Sequence, residues 1–243
     1  MFKRYLSLVL AILMVCSIAP TAYATTHNSS TDEYSEYLRC VEQGILGDDV
    51  TYAVWKRLRE ESHALEAALE ASNEFALVYD SRQSAYSTYS MRAGDVFITN
   101  ATVSSAILGH AAIAISSSNI LHIAGPGETP STISLSTWHD RYTNKNGADS
   151  WTKIYRHSNY TIASEAAGWA EDTYKDSGAG YFINKDVQDT TLTYCSKIVW
   201  QAYFYGPSTV STDATYLSSG YILPYNLANL IGDVSLLKTY VGS

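Results

Sequence analysis

Two apolar stretches, Ile107 to Ile115 and Ile120 to Ala124, flank the polar tetrapeptide Ser116-Ser117-Ser118-Asn119, and this arrangement constrains the fold more than any other feature. Such a pattern reads as two antiparallel strands joined by a tight turn. The turn sets the register. If it centres near Ser116 or Ser117, His110 and His122 point to the same face of adjacent strands. Directly opposed side chains in such a pair have Cβ atoms about 5 Å apart, and diagonal neighbours remain within reach of an imidazole. Two histidines so placed can share a hydrogen bond that fixes the tautomer and orientation of one ring, as a general base requires. Two ordinary histidines with satisfied hydrogen bonds are the plainer alternative.

The second constraining passage runs from Tyr194 to Tyr205 and stops at Gly206-Pro207. Ile198, Val199 and Ala202 recur as one buried face of a helix, which places Cys195 at the helix start. Unpaired amides and the helix dipole there predict a thiol with a lowered pKa. The same amides can hold the oxyanion formed when a thiolate attacks a carbonyl. A cysteine that merely packs is the alternative.

The rest of the chain places these two passages. Arg92-Ala93-Gly94-Asp95 reads as a turn feeding a strand at Val96-Phe97-Ile98, with Asp95 a turn residue. A short helix is expected over Ser134 to Tyr142, a strand over Trp151 to Arg156 and an amphipathic helix over Thr161 to Lys175. Strands grouped together with helices around them indicate α+β architecture, an antiparallel sheet packed against the cysteine-bearing helix. Upstream, residues 25–90 read as a polar N-terminus and a helical extension. Gly44 and Gly47 break that helix, Asp48 or Asp49 caps its second half, and Val54, Leu58, Leu65 and Leu69 form one stripe. Residues 91–243 form the expected catalytic domain.

Residues 1–24 carry Lys3 and Arg4, an apolar run from Tyr5 to Ile18, and Ala22-Tyr23-Ala24, the pattern of a secretory signal peptide. The run is shorter than the about 20 apolar residues of a spanning helix. A secreted protein, with no stable membrane insertion after cleavage, is therefore expected. The net charge of −8 offers no electrostatic attraction to nucleic acid or anionic lipid. Cys40 and Cys195 are the cysteines beyond the signal, too few for a disulfide scaffold, and a single bridge between them, allowed in an oxidising compartment, is the alternative to two thiols. No clustered cysteine–histidine set suggests zinc, and neither metal nor organic cofactor is expected.

The run Gly109 to Gly127 resembles the histidine strand, turn and second-histidine strand of NlpC-type papain-like cysteine peptidases, and Thr193 to Tyr203 resembles their cysteine helix. Histidine precedes cysteine here, an order similar to the circularly permuted YiiX/YaeF-like branch. Ser136-Thr137-Trp138, Gly180-Tyr181-Phe182-Ile183-Asn184 and Leu223-Pro224-Tyr225-Asn226-Leu227 match landmarks of that branch. His122 stands where permuted members often carry an acid, and Lys197 replaces a common glutamate. The resemblance implies a papain-like, circularly permuted fold and a thiol hydrolase. Cys195 is its nucleophile, His110 its base and His122 the orienting residue, with Tyr181 or Tyr194 as a second oxyanion donor. Peptidoglycan stem peptides or another amide are the implied substrates. A thiol-dependent lipid amidase or acyltransferase, and a non-catalytic binding module of the same fold, are the alternatives. Oligomeric state is not legible.

Overall fold

The computed structural model describes residues 29–80, 89–104, 107–207 and 220–243. The signal-like start lies outside these residues. Helices α1 (Ser29–Glu42) and α2 (Tyr52–Asp80) precede the first strand. Strands β1 (Val96–Thr99), β2 (His110–Ala114), β3 (Ile120–Ile123) and β4 (Pro130–Ile133) follow. Helix α3 (Leu135–Trp138) continues into a π-helical turn, His139–Thr143, ahead of β5 (Trp151–His157) and α4 (Tyr160–Tyr174). Two short strands, β6 (Gly180–Tyr181) and β7 (Leu192–Thr193), pair in parallel before α5 (Cys195–Tyr205). A 3₁₀ turn at Pro224–Asn226, helix α6 (Leu227–Ile231) and β8 (Val234–Val241) complete the described chain.

Six strands form one antiparallel sheet in the order β4-β3-β2-β1-β5-β8, so the architecture is α+β. Both faces of its centre are covered. Val96, Ile98, Ala111, Ile113, Leu121 and Ile123 pack into one cluster with α4 and α5, while Phe97, Ala112, Ala114, Ile120 and Ile154 pack with Trp138 and Tyr142. Double coverage explains why Ile107 to Ile115 reads as an almost continuous apolar run instead of alternating.

The helix Thr161 to Lys175 is found as α4, shifted by one residue, and the cysteine helix starts at Cys195 as its pattern indicates. The expected helix over Ser134 to Tyr142 keeps only four α-helical residues before the π turn. The cap of α2 needs correction. Thr51 supplies it, its hydroxyl accepting from the Val54 N–H at 3.4 Å. Asp49 is instead used over long range, accepting from the Lys185 N–H at 2.9 Å and the Tyr221 hydroxyl at 2.6 Å.

The N-terminal helices are tied into the sheet domain. The loop between them exchanges backbone hydrogen bonds with Ile183, from Gly47 N–H to Ile183 C=O and from Ile183 N–H to Ile45 C=O, each 2.8 Å. Helix α2 reaches β5, where Trp151 Nε1 donates to Glu70 at 3.1 Å and the Lys153 ammonium donates to the Leu69 carbonyl. Cys40 and Cys195 are both buried, and no disulfide joins them.

Candidate active site

The site is assembled where β2 and β3 part. Their pairing is confined to Ile113↔Leu121 and Ala114↔Ile120, and nearer the start of β2 the strands diverge. Strand β1 occupies the other edge of β2 throughout, pairing Thr99 with His110 and Val96 with Ile113. The start of α5 packs at the gap, and the Ala111 N–H faces the Cys195 sulfur there. Cys195 is 2% exposed, and its preceding residue Tyr194 is extended.

The residues beside Cys195 anchor two loops to the helix start. Tyr194 Oη accepts from the Ile222 N–H at 2.9 Å while Ser196 Oγ donates to the Ile222 carbonyl at 2.6 Å. Lys197 Nζ donates to the Asp186 and Leu192 carbonyls at 2.5 and 2.8 Å, and Gln201 Nε2 donates to the Val187 carbonyl. The lysine found in place of a glutamate thus has a physical reason: two carbonyls need a donor. Burial draws its ammonium down to about 8.

His110 and His122 face the side of the sheet opposite α5, among Trp138 and Tyr142. By the register of the hairpin they are diagonal neighbours. Their rings lie 5.4 Å apart, nearly perpendicular, and His110 Nε2 sits 3.1 Å from His122 Nδ1. The paired-histidine expectation therefore holds as geometry. Gly109, at φ +80°, sets the entry into β2, and a Cβ there would lie 2.7 Å from the Tyr225 ring.

Hydrogen-bond accounting assigns the tautomers. Tyr142 Oη meets the same His122 Nδ1 at 3.3 Å, while His110 Nδ1 and His122 Nε2 are buried without partners. If His122 Nδ1 carried the proton, the Tyr142 hydroxyl and His110 Nδ1–H would both be buried donors with nowhere to donate. With Nδ1 as acceptor, its one lone pair is shared between the Tyr142 hydroxyl and His110 Nε2–H, and only the His122 Nε2–H is stranded. Stranded donors are the rarer and costlier defect. His110 therefore bears its proton on Nε2 and keeps a lone pair on Nδ1. Tyr142 was missed by sequence reasoning, since nothing local links it to β3. Replacing Tyr142 by Phe is expected to turn the single His110 tautomer into a mixture, read by nitrogen-15 shifts of the imidazoles. A tautomer unchanged by the replacement contradicts the assignment.

Electrostatics departs from the sequence expectation. Burial pushes the Cys195 thiol up to about 11, and the amides of Ala111, Ser196 and Cys195 itself recover only part of that. Burial also holds His110 well below the ordinary imidazole range, helped by the charges of His122 and Lys145. His122 is lowered to about 4, by burial first and then Arg141. At rest the thiol and both imidazoles are thus neutral. The helix-start amides are present as expected, but desolvation outweighs them.

Tyr181 and Tyr194 both line the site. The Tyr181 hydroxyl is shared with Ser104 at 2.8 Å, and that of Tyr194 holds Ile222. Asp95 accepts from the Arg92 N–H, the Tyr89 hydroxyl and the Arg156 guanidinium, so it braces the turn before β1. His139 bonds Thr143, and His157 bonds the Asn159 N–H, both away from the thiol. Among the described residues, no group of three or more His, Cys, Asp or Glu is placed to hold a metal ion.

An α+β sheet with a buried thiol at a helix start and a histidine pair on the neighbouring hairpin defines the class of structure. The chain belongs to the lipoprotein N-acylation protein LnsA-like family, whose model matches residues 64–240. That match begins inside α2. The chain is also 36% identical over 163 residues to an uncharacterized 30.3 kDa protein of Bacillus thuringiensis, covering 63% of this chain and 58% of that relative. It thus spans under two thirds of that relative's length. No solved structure matches.

Proposed function

We propose that this protein is a thiol acyltransferase that takes an acyl group from a lipid ester onto Cys195 and passes it to the amine of a lipoprotein. The observation that carries this reading is the buried, uncharged thiol whose sulfur faces the N–H of Ala111, next in sequence to His110, whose Nδ1 is buried without a partner. Membership in a family described by lipoprotein N-acylation directs it toward acyl transfer. Peptidoglycan amide cleavage, the substrate suggested by the NlpC resemblance, has no such support.

The steps follow from the residues. The thiol attacks the ester carbonyl as its proton passes to His110 Nδ1, so no preformed ion pair is needed. The N–H groups of Cys195 and Ala111, which approach the sulfur at rest, are the donors offered to the developing oxyanion beside it. His110 returns the proton to the leaving alkoxide, and a thioester on Cys195 remains. A neutral amine then attacks the thioester, giving its proton through His110 to the departing sulfur. The products are an amide and the restored thiol. His122 and Tyr142 hold the His110 tautomer that makes both transfers possible.

Burial also favours transfer over hydrolysis. At 2% exposure, Cys195 has little access to bulk water, so a bound amine competes well for the thioester. The fold supports a circularly permuted papain-like reading, with the histidine strand ahead of the cysteine helix on one antiparallel sheet. The signal-like start supports action outside the cytoplasmic membrane, where lipoproteins are displayed.

The test supplies a diacyl lipid as donor and a lipopeptide with a free N-terminal amine as acceptor, and separates the products by mass. N-acylated lipopeptide in excess of free fatty acid is the expected result. Free fatty acid alone would make the protein a hydrolase, and neither product would sink the acyl reading.

A further inference from the structure

Three segments meet at the end of β2 away from Cys195. The turn from Arg92 to Asp95 is tied to that end, Gly94 N–H donating to the Ala114 carbonyl and Ala114 N–H to the Asp95 carbonyl, each at 2.8 Å. Gly94, at φ +85°, also lets the turn close onto the first turn of α4, where a Cβ would collide with the Ala163 carbonyl. Two adjoining cavities, of about 480 and 70 Å³, open along these segments. The larger is bordered by Arg92, Ser117 and Tyr160. The smaller shares Arg92 and Tyr160 and adds Arg156, His157 and Ser158. Tyr203 donates to the Gly94 carbonyl at 2.5 Å and stacks on His157, which sets this place about 12 Å along α5 from the thiol.

The groups that the fold leaves unpaired here are donors. The Arg92 guanidinium is exposed and has no partner among the described residues, whereas Arg156 is neutralised by Asp95 at 2.6 and 2.7 Å. His157 is 6% exposed. The Asn159 N–H donates to its Nδ1 at 3.0 Å, and a backbone N–H has a fixed direction, so the ring proton sits on Nε2. That Nε2–H has no partner among the described residues. At the start of α4, Asn159 accepts from the Thr161 N–H at 2.9 Å, and the Tyr160 and Ile162 N–H groups stay unpaired. Among the described residues no carboxylate lines either cavity.

We infer that Arg92, His157 and the start of α4 form a second ligand site, one that takes a phosphate group carried on a small organic moiety. A guanidinium, an imidazole N–H fixed in a nearly buried ring and free helix-start amides are the donors a phosphate takes up. Its tetrahedral oxygens can meet donors from several directions at once. The larger cavity has room for the organic remainder, and the Tyr160 ring, 61% exposed, offers it a face. With a net charge of −8 the chain as a whole repels anions, so attraction here is local to Arg92. A soluble phosphate ester and a lipid headgroup present the same chemistry. The site takes no part in acyl transfer and stands or falls separately from it.

The experiment titrates glycerol 3-phosphate into the nitrogen-15-labelled protein and follows the His157 Nε2 and Arg92 Nε signals. Both are expected to shift saturably. Arg92→Gln breaks no contact in the fold and is expected to weaken binding about 10- to 100-fold, the size of a charge-assisted hydrogen bond. His157→Phe keeps a ring on Tyr203 and is expected to weaken it several-fold. Co-sedimentation with phosphatidylglycerol and with phosphatidylcholine vesicles runs in parallel. Retention on phosphatidylglycerol that Arg92→Gln abolishes makes the ligand a lipid headgroup, and saturable titration without retention makes it a soluble ester. Shifts still linear at about 10 mM, or an affinity that Arg92→Gln leaves unchanged, overturn the site if no Arg92-dependent retention is seen.

Discussion

Cys195→Ala is expected to abolish acyl transfer, lowering turnover by about 10⁴-fold or more, because it removes the atom that carries the acyl group. The fold should survive, since alanine replaces a small side chain whose neighbours are held by Tyr194, Ser196, Lys197 and Gln201. Thermal unfolding within a few degrees of wild type would separate loss of chemistry from loss of structure. His110→Gln should come close to the same loss. Losses that are strongly non-additive in the double variant would mark the two as one catalytic unit. An alanine variant that keeps a tenth of the wild-type rate would remove Cys195 from the mechanism.

Acid should destabilise this protein well before general acid denaturation begins. His122 is held near 4 in the fold, against an ordinary value near 6.5, and His110 is displaced in the same direction. The folded pKa lies below the unfolded one, so between about pH 6.5 and 4 the unfolded chain binds more protons. The contribution is therefore fully present above pH 6.5 and is lost as the pH falls through 4. The displacement of His122 alone corresponds to about 3 kcal/mol, a large fraction of a typical domain stability. Urea midpoints measured from pH 7.5 to 4 should fall across that window, and His122→Gln should flatten much of the slope. A wild-type midpoint constant between pH 6.5 and 4.5 would contradict the buried neutral pair.

What the sequence disclosed and what it concealed divide by range. The histidine hairpin was legible because its turn, register and apolar runs are consecutive, and α5 because Gly206-Pro207 closes a periodic run. The start of α5 at Cys195 could be read for the same reason. Strand β8 was overlooked, although Val234 to Leu237 alternates between partly buried and exposed positions as an edge strand should. Strand β4 was missed too, being four residues that begin with Pro130.

The electrostatic expectation failed for an instructive reason. A helix start is a local feature and argues for a lowered thiol pKa. Burial by β2, Tyr181 and Tyr225 is assembled from distant segments, with Tyr194 closing it from beside the cysteine, and it carries the larger effect. Tyr142, Tyr225 and the Ala111 amide belong to the same class. Each reaches the site through tertiary packing, and no spacing in the sequence joins them to Cys195. Asp49 shows the reverse error: a residue well placed to cap α2 is committed across the fold to Lys185 and Tyr221.

The central claim is that Cys195 carries the acyl group. Intact-protein mass spectrometry after brief incubation with a lipid ester and no amine tests it most directly. The account predicts a mass increase of one acyl group, located to Cys195 by peptide mapping, discharged by hydroxylamine and absent from Cys195→Ala. An unmodified protein that nevertheless transfers the acyl group, or an adduct that persists in the alanine variant, would contradict it.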